Sequence, residues 1–350
     1  MMRVLYVQIN NDFSGSSYAL KSIIDSHEIE EKVLMTSFSS EGFLTETKIA
    51  KSIDIPYRFK GKSISTISIL MRNWIKGAKS FIRLHKKTPI DIVYLNSISP
   101  WHISLPAKLL GIKVIYHVHE FYASPNILFR FYLYLMKHTA EKLIYVSEFC
   151  KTQYSFLNAS KKGIAEDIQY TPIRYATRMK LDREVSEKLM GSIIMICSPK
   201  KYKGVENFIE LALAMPNRNF KLFLSQPYDF HALVPSNVEV VVAKTDLQQE
   251  LCDASILLNL SQYPDWLETF GLTIWESLSQ GTPVIVPDIG GPLEIVTSDC
   301  GRKVDVRNKE LVLGAIEEIL IDEKQYAIYC EQALNRSKYL ETRYPISNPK

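Results

Sequence analysis

The sequence predicts an α/β protein built as two doubly wound parallel-sheet halves. Apolar runs of strand length alternate with longer amphipathic segments of helical period along the whole chain. The alternation lapses once, between Ile173 and Leu189, where charged residues gather. The length, 350 residues, suffices for two domains of ordinary size. Such alternation sets successive strands parallel and covers both sheet faces with helices.

In the first half the expected order is strand Val4–Ile9, a helix from Ser16, strand Lys32–Thr36, a long helix from Ile64 to Lys87 and strand Ile92–Leu95. A helix near His102–Leu110, strand Val114–His117, a helix near Ile127–Thr139 and strand Leu143–Val146 complete it. The second half repeats the scheme: strand Ile193–Cys197, helix Glu206–Met215, strands Lys221–Leu224 and Val238–Val242, a helix near Leu247–Asp253 and strand Ile256–Leu258. A helix after Gly271, strand Val284–Val286 and two helices after Asn308 follow. No sequence repeat underlies the architectural one. Ligands of such sheets sit at the carboxyl ends of the strands, here the loops after Ile9, His117, Cys197 and Leu260.

Composition narrows the class. With 46% hydrophobic and 23% charged residues and no low-complexity tract, the chain reads as globular rather than disordered. Its five cysteines have neither zinc-site nor disulfide spacing, which fits a reducing cytoplasm. The apolar start of the chain reads as a buried strand rather than a signal sequence, and no apolar run approaches the ~20 residues that cross a bilayer. The net charge of +4 divides unevenly, +9 over residues 1–175 and −5 over the remainder. A basic half can meet nucleic acid, anionic lipid or a phosphorylated acceptor, but no nucleic-acid-binding signature occurs.

Residues 261–296, SQYPDWLETFGLTIWESLSQGTPVIVPDIGGPLEIV, carry the most chemistry. Glu268 and Glu276 lie eight residues apart across the turn Thr269-Phe270-Gly271, which delivers the chain through Leu272 into a helix. The first N–H groups of a helix lack internal partners and lie at the positive end of its dipole, so the turn suits a phosphate. Glu276 falls about 7.5 Å further along the axis, a plausible reach from a diphosphate to a ribose. Glu268 stays in the loop, where it can accept from sugar hydroxyls. On a purely structural reading Gly281 caps an amphipathic helix, Val284 to Val286 form a buried strand and both glutamates are solvated.

Together with Gly281-Thr282-Pro283 and the run Gly290-Gly291-Pro292-Leu293-Glu294, this stretch resembles the donor-site signature of retaining glycosyltransferases of family 4. The resemblance implies the GT-B fold, two Rossmann-like doubly wound domains facing a central cleft. It divides the chain into an acceptor-binding domain (1–178), a nucleotide-sugar donor domain (179–325) and a C-terminal helix (326–350) crossing back to the first domain. Three further loops fit. Asn10 to Ser17 resembles the glycine loop against the donor diphosphate, with Gly15 and Ser16 small enough for close approach, although any strand-to-helix turn favours such residues as caps.

Cys197 to Gly204, CSPKKYKG, resembles the family's Arg-x-x-x-x-Lys-Gly loop, whose cations stabilise the departing diphosphate. Lys203 matches the lysine; the arginine is absent, so Lys200 or Lys201 stands in for it. His119 matches the family's sugar-contacting histidine, with His117 two residues earlier on the same side of the strand as the alternative.

The reading is then a metal-independent retaining hexosyltransferase with no cofactor, moving sugar from a nucleoside-diphosphate donor to a saccharide or lipid-linked saccharide in surface polysaccharide synthesis such as capsule or lipopolysaccharide. UDP-sugar is favoured over GDP-mannose. The assigned residues are His119 and Glu268 for catalysis, and Gly15, Ser16, Lys200, Lys203, Glu268, Thr269, Phe270, Gly271, Leu272 and Glu276 for the donor. An epimerase or phosphorylase on the same fold and a non-catalytic nucleotide-sugar-binding subunit are the alternatives; a glycoside hydrolase has no use for phosphate-binding loops. The basic stripe Arg72, Lys76, Lys79, Arg83 and Lys86 suits either solvent or an anionic membrane surface, which allows a cytoplasmic enzyme peripheral at the inner face.

Overall fold

The computed structural model describes residues 2–343 apart from 38–40, 48, 50, 55–63, 122–126, 182–183, 232 and 243–245. The chain divides into a first unit formed by Met1–Pro172 and a second formed by Ile173–Tyr344.

In the first unit the strands are β1 Arg3–Asn10, β2 Glu31–Ser37, β3 Lys51–Asp54, β4 Ile92–Asn96, β5 Lys113–Val118, β6 Lys142–Tyr145 and β7 Ala165–Ile168. They form one sheet in the order β3-β2-β1-β4-β5-β6-β7, parallel throughout. Its helices are α1 Gly15–Ser26, α2 Ile64–Lys87, α3 Trp101–Leu109, α4 Ile127–Thr139 and α5 Glu148–Gln153. Covered on both faces, the central strands carry near-continuous apolar runs, and Val4, Leu5, Tyr6 and Val7 are all fully buried.

The second unit has helices α6 Val185–Leu189, α7 Val205–Ala214, α8 Gln248–Asp253, α9 Leu272–Ser279, α10 Pro292–Ile295, α11 Lys309–Ile319 and α12 Glu323–Arg343. Its strands are β8 Ile193–Cys197, β9 Phe220–Leu224, β10 Val238–Val242, β11 Ile256–Leu258, β12 Val284–Pro287 and β13 Gly301–Val304. The order β10-β9-β8-β11-β12-β13 is again all parallel. Asn308 caps α11, accepting from the N–H groups of Glu310 and Leu311. Helix α12 packs on α9, where the Trp275 indole donates to the buried Ser337 hydroxyl at 2.9 Å.

In each sheet the winding reverses at one place, between β1 and β4 and between β8 and β11. At such a switch point the loops leaving adjacent strands run to opposite faces and open a crevice at the strand ends. The glycine loop follows β1, the lysine loop follows β8, and the loop holding Glu268 follows β11. Strands β3, β7 and β13 escape the sequence expectation. Each has four residues, and Ala165-Glu166-Asp167-Ile168 or Gly301-Arg302-Lys303-Val304 has no apolar run to announce it.

Candidate active site

In the second unit, three loops meet at the carboxyl edge of the sheet. The lysine loop closes with a single 3-10 turn over Lys201–Lys203 and leaves through Gly204 at φ +78°, a left-handed conformation that suits glycine. A β-carbon on Gly204 would lie 2.5 Å from the Leu260 carbonyl oxygen, so glycine also permits contact with the chain leaving β11. Gln262 N–H donates to the Tyr202 carbonyl at 2.8 Å, and the Tyr202 ring stacks on Trp266 with centroids 5.2 Å apart.

Lys203 is thereby aimed at Glu268. Its Nζ lies 2.6 Å from Glu268 Oε2, 3.3 Å from Ser261 Oγ and 4.8 Å from the centre of the Trp266 ring. Both charged groups are largely but not fully buried, at 16% and 18% exposure, so a ligand can still reach them. Glu268 is held from behind by the double-glycine loop, whose Gly291 N–H donates to the Glu268 carbonyl at 2.8 Å. Gly271, at φ +103°, turns the chain into α9 and brings no capping side chain to the helix N-terminus. Thr269 and Phe270 are buried beneath that turn. Lys200 and Lys201 are exposed. A pocket of about 250 Å³ opens beside Ser261 between Tyr263, Asp288 and Arg307.

Glu276 is fully buried, and its partner is one that the sequence did not suggest. Arg174 donates through Nε to Oε1 at 2.7 Å and through Nη2 to Oε2 at 2.6 Å, a fork-to-fork pair, while its backbone N–H adds 3.2 Å to Oε1. Arg174 begins a strap laid along α9: Arg178 N–H donates to the Ser279 carbonyl at 2.9 Å and Arg178 Nε to Gln280 Oε1 at 2.6 Å. Nothing in the spacing of Arg174, 102 residues before Glu276, marks this contact.

In the first unit, the chain leaving β1 caps α1. The Ser14 hydroxyl accepts from Ser17 N–H, and Asp12 Oδ1 accepts from the hydroxyls of Ser14 at 2.5 Å and Ser17 at 2.7 Å. A β-carbon on Gly15 would meet no atom within 4 Å, so space is open at this helix start. The two histidines of β5 differ sharply. His117 is fully buried, its Nδ1 3.1 Å from the Tyr94 hydroxyl, and burial holds its pKa well below the usual value. His119, half-buried beyond the strand end, has Nε2 2.7 Å from Asn96 Oδ1 and a pKa pushed down to about 3 by burial.

Next to it, Glu120 accepts from the Ser97 hydroxyl at 2.5 Å and Ile98 N–H at 3.2 Å, and burial raises its pKa. Ser97 stands at φ +105°, a strained conformation for a residue with a side chain, at the end of β4 beside the switch point. The lysine loop, Glu268, the Gly271 turn and Glu276 thus lie in the second unit, and Gly15, Ser16 and His119 in the first. In the sequence the loop Val242-Ala243-Lys244-Thr245 is a candidate neighbour of the nucleotide base, and its residues 243–245 lie outside the described residues. Among the described residues no group of three or more His, Cys, Asp or Glu side chains is placed to hold a metal.

Residues 230–336 match the model of the family glycosyl transferases group 1, a span that includes the Glu268 loop, α9 and the double-glycine loop. Among curated proteins none matches the sequence. Solved structures match over nearly the whole chain. HepE from Anabaena, solved with UDP and glucose, superposes with a TM-score of 0.75 at 15% identity, covering 99% of this chain and 96% of that one. Sucrose-phosphate synthase from Thermosynechococcus elongatus gives 0.70 at 15% identity, covering 97% and 95%. WaaG, a glycosyltransferase involved in lipopolysaccharide biosynthesis, gives 0.70 at 15%, covering 96% and 95%. The fold is the GT-B fold. With the family match over the donor motif, it supports a glycosyltransferase.

Proposed function

We propose that the chain is a retaining glycosyltransferase of family 4 that moves a hexose from a nucleoside-diphosphate sugar, UDP-sugar foremost, to a saccharide or lipid-linked saccharide. The observation that carries this is the Lys203–Glu268 pair at 2.6 Å beside the N-terminus of α9. A lone carboxylate pair would serve hydrolysis; a cation and a helix terminus beside a carboxylate serve a diphosphate joined to a sugar. Lys203 and the α9 N–H groups take the charge that builds on the departing diphosphate, without a metal. Glu268 accepts from sugar hydroxyls and His119 touches the transferred sugar; Glu276, with no exposed surface and both oxygens held by Arg174, would meet the ribose only once that pair opens.

In the reaction the acceptor oxygen bonds to the anomeric carbon from the side the diphosphate leaves. The bond from that carbon to the phosphate oxygen breaks, and the acceptor's proton passes to the phosphate. Anabaena HepE is solved with UDP-glucose, which makes that donor the first to try. The test is nucleoside diphosphate release from UDP-sugars and GDP-mannose over a saccharide acceptor panel, with the anomeric configuration read by NMR. Lys203→Ala and Glu268→Ala should each lose about 100-fold or more in turnover; wild-type turnover by either variant sinks the reading. Donor altered with no acceptor present would indicate an epimerase instead.

The same reading places the enzyme at an anionic membrane surface in polysaccharide assembly. Arg72, Lys76, Lys79, Arg83 and Lys86 are all exposed on α2, with Met71 and Ile75 half-exposed on the same helix. Helix α3 packs on α2 and on α4, and Leu109, Ile127 and Tyr134 of these neighbours are exposed as well. Basic groups beside apolar side chains suit the headgroup boundary. No helix among the described residues is long and apolar enough to cross a membrane. Co-sedimentation with phosphatidylglycerol vesicles, lost in R72E/K76E/K79E, tests the placement.

A further inference from the structure

Glu276 lies five residues beyond Gly271 along α9, the depth at which a diphosphate held by the helix terminus would set its ribose. Its carboxylate is nevertheless closed. The side chain has no exposed surface; Oε1 accepts from both Nε and the backbone N–H of Arg174, and Oε2 accepts from Nη2. The guanidinium fork matches the edge of the carboxylate, so charge and geometry are satisfied together.

The strap that Arg174 begins is tied down at every residue. The Tyr175 hydroxyl accepts from Leu247 N–H at 2.8 Å, and its ring lies 5.2 Å from the Arg174 guanidinium carbon. The Ala176 carbonyl accepts from Gln280 Nε2 at 3.3 Å, Thr177 Oγ1 lies 2.7 Å from Ser337 Oγ, and Arg178 is bonded to Ser279 and Gln280. Arg174 therefore stays beside Glu276 unless its side chain alone turns away.

A ribose offers little to drive that turn. Its hydroxyls return hydrogen bonds but no positive charge, and a buried carboxylate would lose its counter-ion as a diphosphate arrived about 7.5 Å away. Stranding one partner of a buried pair costs enough to weaken binding by about a hundredfold or more.

We infer that Glu276 stays paired with Arg174 when the donor is bound, so that the site accepts 2′-deoxyribonucleoside diphosphate sugars as readily as ribonucleoside ones. Glu276 is then an anchor of the strap. The inference rests on the reading above that the site holds a nucleoside-diphosphate sugar, and it adds thymidine-type donors to that class. An open buried carboxylate would reject a nucleotide lacking the hydroxyl, because its lone pairs would be left unmet; here Arg174 meets them already.

Calorimetry on the full chain compares UDP with 2′-deoxy-UDP and 2′,3′-dideoxy-UDP. Affinities within about threefold of one another are expected, and a preference for UDP of about tenfold or more overturns the inference. This comparison uses the wild type alone, so a variant that failed to fold would not stall it. Arg174→Lys keeps a charge but removes the fork, which lets ribose compete for Glu276. Its preference for UDP over 2′,3′-dideoxy-UDP should rise to about tenfold or more. No rise in a variant with wild-type fluorescence also overturns the inference, since the pair would not be what withholds the carboxylate. If none of the three nucleotides binds the wild type, the nucleotide-sugar reading itself fails and takes the inference with it; UDP bound with a strong ribose preference removes the inference and leaves that reading standing.

Discussion

Replacing Arg174 by alanine would strand the carboxylate of Glu276. That carboxylate has no solvent exposure and receives two guanidinium hydrogen bonds, at 2.6 and 2.7 Å, and one from the Arg174 backbone, at 3.2 Å. Only the backbone bond survives the substitution. An exposed ion pair contributes at most ~1 kcal/mol, whereas removing one partner of a buried pair costs about 3–5 kcal/mol because the remaining charge is neither hydrated nor paired. For a unit of this size each kcal/mol moves the midpoint by ~2–4 °C, so a loss of roughly 6–20 °C is expected.

Two units need not unfold together, so the assay must report on one. The four tryptophans divide evenly, Trp74 and Trp101 in the first unit and Trp266 and Trp275 in the second. In a W74F/W101F background, urea denaturation followed by fluorescence reads the second unit alone. The volume-matched double variant Arg174→Met with Glu276→Leu should recover most of the loss, since it leaves no buried charge. A cost below ~1 kcal/mol for Arg174→Ala would refute the reasoning, because it would mean that the pair behaves as an exposed one.

Lys188 is fully buried, with Nζ donating to the carbonyls of Cys252 at 2.5 Å and Ala254 at 3.0 Å and to Thr282 Oγ1 at 2.6 Å; burial lowers its pKa from 10.5 to about 8. Between these values the unfolded chain holds the proton and the folded one does not, so stability should rise with pH by about 3 kcal/mol in all, and a pH series of urea melts on Lys188→Met should lack that rise. A β-carbon at Gly291 would sit 2.2 Å from the Thr269 carbonyl oxygen and 2.6 Å from Phe270 N, so Gly291→Ala should cost ~1–3 kcal/mol in melts and displace Glu268 enough to abolish turnover. Gly314→Ala, in α11 with nothing within 4 Å of the new carbon, should instead stabilise by ~0.5–1 kcal/mol.

The α/β class was legible because strands buried on both faces must be apolar through their buried length: Val4-Leu5-Tyr6-Val7 and Val284-Ile285-Val286 announce themselves. Strands β3, β7 and β13 were not, since a four-residue strand can be half polar and still pair with its neighbour's edge. The loop motifs were legible for a related reason. Glycine at 204, 271 and 291 answers local demands of backbone angle and close approach that survive in any chain folding this way. Exposure was harder to read: Met71 and Ile75 of α2 are apolar, yet both are half-exposed.

By itself, then, the sequence determined the two-sheet architecture, the strand ends that carry the loops, and the Glu268, Gly271 and Glu276 layout, since all of these are set by neighbours close in the chain. Tertiary structure decided which partners those groups meet: Lys203 for Glu268 across 65 residues, Arg174 for Glu276 across 102, and Asn96 for His119 across 23. The physical reason is range. Backbone angle and hydrophobic period act over a few residues and leave a pattern, whereas an ion pair or a buried hydrogen bond depends on which strand ends a parallel sheet sets side by side.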